Sequence, residues 1–321
     1  MGMLDVEHLC VSFEDRDGNP LPAVTDVSFS MKEGSVTCLV GESGCGKSLT
    51  ARACLRVLPP TARASGSVLL QGRDLSTLPE RAMRRVRGHA MAMICQEPMT
   101  ALNPVLTVGE QAAEPLRVHL GLTRREARER VVELFRMVGI PSPEERYAVY
   151  PHELSGGMRQ RVMIAMALAC KPEVLLADEP TTALDPTIQG QILAILRQQS
   201  CEREMAVLLI THDLGVVAQT ADSVGIMYAG HLVEYGQTGA IFDHPLHPYT
   251  RGLMDSAPSR STMHLHRLPA IPGTVPPLGK IPPGCPFHPR CPRASRRCRE
   301  AFPTVTASGG HCVACWNPLD I

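Results

Sequence analysis

Three stretches of this sequence place side chains and glycines at spacings suited to chemistry on a phosphate. The first, Gly41-Glu-Ser-Gly-Cys-Gly-Lys-Ser48, fits G-x-x-x-x-G-K-[ST] between an apolar run, Val36–Val40, and a helical pattern. Its glycines let successive backbone N–H groups converge on phosphate oxygens, and the following helix start adds favourable partial charge. Gly41, Ser43, Gly44, Cys45, Gly46, Lys47, Ser48 and Leu49 are the expected nucleotide contacts. Lys47 is expected to reach the β- and γ-phosphates, and Ser48 to ligate Mg2+. The second, Val174-Leu-Leu-Ala-Asp178-Glu179, is an apolar strand pattern ending in two acids. P-loop nucleotide hydrolases hold Mg2+ at such a strand end. That assigns Asp178 to the metal and Glu179 to the attacking water as general base. The third, Leu154-Ser-Gly-Gly-Met-Arg-Gln-Arg161, opens a helical pattern running to Cys170. Ser155, Gly156 and Gly157 make a second anion-binding helix terminus. Two subunits arranged head to tail reconcile the two termini, each offering its Ser-Gly-Gly to the nucleotide held by the other's loop.

The elements that must position these groups follow from hydrophobic periodicity. Residues 4–13 and 24–40 read as strands, and a helix is predicted from Lys47 to about Leu58, stopped by Pro59-Pro60. Further strands are predicted at 66–70 and 89–95. Between about 97 and 160 the character is helical, with Val131, Val132, Leu134, Phe135 and Val138 recurring at helical spacing. From 173 onward strands and helices alternate: Val174–Ala177, 187–200, Ala206–Ile210, 214–220 and Val224–Tyr228. That alternation implies an α/β fold with a mostly parallel sheet covered by helices. The expected architecture is a P-loop NTPase core with an antiparallel β subdomain, a helical insertion over about 97–160, and an irregular C-terminal extension. The nucleotide-binding domain is assigned to 1–257 and the extension to 258–321. The extension holds 12 of the chain's 28 prolines, which predicts little regular helix or sheet there.

Composition narrows the function classes. Thirty-two basic residues balance 32 acidic ones, so no global charge draws the chain to nucleic acid or to anionic lipid. No apolar run reaches the roughly 18 residues of a membrane span. The acidic start, Met-Gly-Met-Leu-Asp-Val-Glu, lacks a signal-peptide core, which argues against secretion. Seven of the 12 cysteines scatter singly over residues 10–201 and read as small buried hydrophobes. Five fall between 285 and 315. Four of these, Cys285, Cys291, Cys298 and Cys315, follow C-x5-C-x6-C-x16-C. Thiolates suit iron–sulfur clusters or zinc, and the common structural zinc sites pair cysteines more closely. Free thiols are the third reading.

With its LSGG stretch at Leu154–Gly157, the sequence resembles the ATP-binding-cassette family, Met158 standing where that family's signature commonly has Gln. The resemblance covers about residues 4–257 and implies an ATPase using ATP and Mg2+. It implies that Gln96 contacts the metal and water and communicates with membrane subunits. It gives Ala183-Leu-Asp185 a role across a dimer, His212 a place near the γ-phosphate, and Phe13 a place stacked on adenine.

Gln96-Glu-Pro-Met-Thr-Ala-Leu-Asn-Pro104 and His247-Pro-Tyr-Thr-Arg-Gly-Leu-Met254 resemble stretches of bacterial dipeptide, oligopeptide and nickel importer ATPases. Those ATPases carry the cysteine tail too, and in them it resembles a [4Fe–4S] ligand set. Cys312, three residues before Cys315, could exchange as a ligand. The resemblance implies peptide import, with nickel or another small solute as the alternative. It also implies a paralogous ATPase partner or a homodimer, two permease subunits, an extracytoplasmic solute-binding protein, and a peripheral place on the cytoplasmic face of the membrane. A soluble cassette acting on DNA or ribosomes is the reading from another class. Neutral charge and the lack of sustained heptads weigh against it.

Overall fold

A computed structural model describes residues 2–15, 17–181, 185–257 and 269–319. Three five-residue strands, β3 (Val36–Val40), β7 (Val174–Asp178) and β8 (Ala206–Ile210), are buried along their whole length. Their near-continuous apolar runs suit a parallel sheet covered on both faces. Alternate residues serve opposite faces. Leu175, Ala177, Val207 and Leu209 pack toward the helical insertion. Val174, Leu176, Leu208 and Ile210 pack with the N-terminal strands and the helix after the glycine loop.

In chain order the elements are β1 (Leu4–Glu14), β2 (Pro20–Met31), β3, α1 (Lys47–Cys54), β4 (Ala62–Leu70), β5 (Arg73–Asp74), α2 (Glu80–Val86) and β6 (Met91–Ile94). The insertion follows as α3 (Pro98–Ala101), α4 (Val108–Leu120), α5 (Arg124–Met137), α6 (Pro143–Arg146) and α7 (Gly156–Leu168). Then come β7, α8 (Pro186–Arg203), β8, α9 (Leu214–Thr220), β9 (Ser223–Tyr228), β10 (His231–Gln237), α10 (Thr238–Asp243) and α11 (Pro248–Ser256). The extension adds α12 (Arg296–Glu300), β11 (Thr306–Ser308) and β12 (His311–Val313).

An antiparallel sheet runs β2-β1-β4-β5, and the larger sheet runs β11-β12-β10-β9-β3-β8-β7-β6. Its five strands from β9 to β6 are parallel. The antiparallel subdomain and the parallel core match the sequence reading. Two expectations need correction. The helix after the glycine loop stops at Cys54, short of Pro59-Pro60, because Arg56 takes a left-handed conformation and its guanidinium reaches the carbonyls of Leu75 and Leu78. The extension is not wholly irregular: β12 pairs with β10, and β11 pairs with β12. The sequence signal was weak there because each strand is three residues long.

Candidate functional site: a phosphate cleft between two strand ends

The glycine loop leaves the C-terminal end of β3, and Asp178 ends β7, two strands away in the same sheet. Ligands of open parallel sheets bind at that carboxyl edge. Gly41 has no room for a side chain, since an added Cβ would lie 2.2 Å from the Met227 carbonyl oxygen. Gly46 caps α1 at φ 105°, a left-handed conformation that favours glycine. The loop and α1 line a cleft of about 220 Å3 formed by Ser43 through Leu49 together with Gln96 and Glu179.

Lys47 is buried, and its ammonium donates to the carbonyls of Gly41 (2.7 Å) and Glu42 (3.1 Å). Ser48 Oγ donates to Asp178 Oδ1 at 2.8 Å. The other Asp178 oxygen is buried with no partner among the described residues. Burial raises the Asp178 carboxyl above its usual range, opposed mainly by the Ser48 hydrogen bond. An orphaned carboxylate oxygen beside a serine hydroxyl is a donor set of hard oxygens that fits Mg2+.

Glu179 takes a left-handed backbone (φ 45°), its N–H donating to the Ile210 carbonyl. Its side chain is approached from two sides: Gln96 Nε2 donates to Oε2 at 3.3 Å, and His212 Nδ1 lies 3.4 Å from Oε1. One carboxylate thus gathers residues that follow β6, β7 and β8. Asp185 caps α8, accepting from the Ile188 N–H. Ala183 and Leu184 lie outside the described residues. Ser155 caps α7 by accepting the Met158 N–H. Ser155, Gly156 and Gly157 do not line the phosphate cleft of their own chain. Neither does Phe13, half-buried on β1 and paired across to Leu21 and Ala62.

Cys285, Cys291, Cys298 and Cys315 line one small cavity with His247, Phe287 and Trp316. Cys312 faces elsewhere, lining a separate cavity beside Tyr235. The four cysteines share this cavity, but the expected [4Fe–4S] ligand set is not formed: among the described residues no group of three or more His, Cys, Asp or Glu could hold a metal ion. Burial pushes the Cys285 and Cys315 thiols up to about 11.

Three contacts escaped the sequence reading. Glu42, inside the glycine loop, pairs with Arg290 of the extension. The Glu42 N–H donates to the Tyr249 hydroxyl at 2.9 Å. Gln160 Nε2 donates to the Pro180 carbonyl at 2.6 Å, tying the signature helix to the turn after Glu179. Only the 248-residue separation of Glu42 and Arg290 hid that pair, since both lie inside motifs already singled out.

Two family profiles match this chain: ABC transporter over residues 24–182, and oligopeptide/dipeptide transporter, C-terminal region, over 233–298. The chain is 50% identical over 322 residues to a probable peptide ABC transporter ATP-binding protein of Sinorhizobium fredii, covering 99% of this chain and 96% of that one. It is 48% identical over 317 residues to a dipeptide transport ATP-binding protein of Bacillus subtilis, covering 98% and 94%. Among solved structures, an ATP-binding cassette seen as a post-hydrolysis dimer with ADP and Pi superposes with TM-score 0.67 at 26% identity, covering 74% of this chain and 99% of that one. The chain belongs to the ABC transporter family of ATPases. It carries that family's ATP-hydrolysing cassette, followed by a C-terminal region of the oligopeptide/dipeptide type.

Proposed function

We propose that this chain is the ATP-hydrolysing subunit of a peptide importer. The observation that carries the chemistry is the arrangement around Asp178 and Glu179, where Ser48, Gln96 and His212 converge on two adjacent carboxylates. Backbone N–H groups of the loop and Lys47 bind the phosphates. Ser48 and Asp178 would hold Mg2+, which would supply positive charge against the transferring phosphoryl group. Glu179 takes the proton of the attacking water, and Gln96 and His212 orient it. Ser155, Gly156, Gly157 and Asp185 act on the nucleotide of a second cassette, either a copy or a paralogue. Their absence from the lining of their own cleft supports that division. Phe13 is assigned to the adenine face on family resemblance.

Permease partners are supported by an apolar groove of about 430 Å3 between core and insertion, with Met93, Cys95, Leu102, Met163 and Met166 on its walls. Flexible methionines suit a partner helix that must follow a moving cassette. Among the described residues no helix is long and apolar enough to cross a membrane, which supports peripheral attachment through those partners, on the cytoplasmic face. Peptide as substrate, and delivery by an extracytoplasmic binding protein, rest on the relatives' peptide transport names and the matching C-terminal region. The four-cysteine cavity is read as a cluster of thiols that staples the extension. The shared lining of that cavity by Cys285, Cys291, Cys298 and Cys315 supports it.

The test is uptake of labelled di- and tripeptides into vesicles carrying this chain with its permeases and binding protein. ATP-dependent uptake abolished by Glu179→Gln is expected. Nickel uptake without peptide uptake would replace the substrate, and no uptake of either with intact ATPase activity would remove transport. Anaerobic purification with iron, sulfide and zinc analysis tests the cysteines: metal-free protein is expected, and bound iron and sulfide would overturn the thiol reading.

A further inference from the structure

Glu42 is the second residue of the phosphate loop and its only acid. Groups from distant parts of the chain hold it. Arg290 donates Nη1 to one carboxylate oxygen at 2.7 Å and Nη2 to the other at 3.0 Å. Such a bidentate fork is among the strongest of side-chain pairings. The Tyr249 hydroxyl takes the Glu42 N–H, and Lys47 donates to its carbonyl. Arg290 is fixed in turn. It is 8% exposed, its Nε donates to the Pro272 carbonyl at 2.8 Å, and its guanidinium lies 5.7 Å from the centre of the Tyr228 ring.

This geometry sets a carboxylate inside a loop that must receive a polyanion. Its charge is cancelled by a cation from the C-terminal extension. We propose that Arg290 is a positioning residue for ATP: acting through Glu42, it holds the phosphate loop and neutralises the one acid built into it. The assignment rests on the ATPase reading and goes beyond it, giving the extension a part in nucleotide affinity. A plain staple between extension and core would affect stability alone. Positioning through Glu42 makes ATP affinity depend on charge, and that is measurable.

The experiment is calorimetric titration of full-length protein with ATP and Mg2+, alongside its melting temperature. Arg290→Ala is expected to weaken ATP binding about tenfold, equivalent to about 1.4 kcal/mol. Adding Glu42→Gln to that variant is expected to restore affinity to within about threefold of the parent, because the unpaired carboxylate is gone. Arg290→Lys falls between, keeping the charge and losing the fork. Unchanged affinity in Arg290→Ala overturns the proposal. So does a double variant that binds no better than Arg290→Ala. Should Arg290→Ala not fold, Arg290→Lys must bind ATP more weakly than the parent and Glu42→Gln at least as tightly. Failure of either sinks the idea. A parent chain that binds no ATP would overturn the ATPase reading and this proposal together, whereas the other failures touch this proposal alone.

Discussion

The phosphate loop hangs between a fully buried five-residue strand and a helix, whereas of the four cysteines only Cys298 lies in a regular element, the short helix α12, and the others lie in irregular chain. The loop is shaped by its own backbone, with glycines where side chains would collide and a helix start aimed at the ligand. The cysteine cavity is shaped by what the extension borrows from the core. Phe287 packs edge-on against Tyr228 and at a tilt against Tyr249, both at 5.2 Å between ring centres. His311 pairs with the fully buried Glu234 at 2.7 Å, and that carboxylate also accepts the N–H groups of Leu246 and His247. Local chain geometry lays out the anion site, and Arg290 braces it from the extension through Glu42. Gathering four sulfurs from an irregular segment needs long-range contacts.

The sharpest break between the two regions is catalytic. Glu179→Gln is expected to lower kcat for ATP hydrolysis by at least about a hundredfold while ATP binding stays near the parental value, because a general base acts only in the transition state. Steady-state kinetics beside calorimetry check this, and parental kcat would remove Glu179 from the role. A change in the other region should invert the pattern. Cys298 is buried, with Ser295 and Asn317 against its sulfur. Cys298→Ser is expected to lower the melting temperature by about 2–4 °C and to leave kcat within about twofold of the parent. A collapse of kcat would couple the regions far more tightly than Arg290 alone does.

The smallest effect is one of pH. His231 stacks on Phe302 of the extension at 4.2 Å, and burial lowers its pKa to about 4. The unfolded chain takes up this proton as pH falls through about 6.5, while the folded chain resists until about 4. Stability from this joint is therefore complete above pH 6.5 and lost progressively below it, by about 1 kcal/mol at pH 5.5. His231→Phe should flatten the acid side of the melting profile. An unchanged profile would place the acid sensitivity elsewhere.

The sequence made the cleft legible because its chemistry sits in contiguous motifs on strand ends. Lys47, Ser48, Asp178 and Glu179 could each be assigned from neighbours within a few residues, and the structure sets Lys47, Ser48 and Glu179 on one cleft with Gln96, Asp178 bonding to Ser48 and His212 to Glu179. The burial of Val131, Leu134 and Phe135 on α5 was equally readable from their spacing. What could not be read is pairing across distance. No local signal says that Arg290 reaches Glu42, that Gln160 reaches Pro180, or that His311 meets Glu234. The strands β11 and β12 were missed for the same reason, since three residues carry too little periodicity to outweigh surrounding prolines.

One pairing has a practical reach. β12 lies along β10, and β11 lies outside it, so β10 is not the border of the larger sheet. A shortened protein ending near residue 257 would keep every nucleotide-binding motif and still leave the backbone of β10 open on one side. Bare strand borders recruit one another. Such a truncated cassette is expected to self-associate through that border, and any dimer it forms without ATP should be checked for this artefact before it is taken for the nucleotide sandwich.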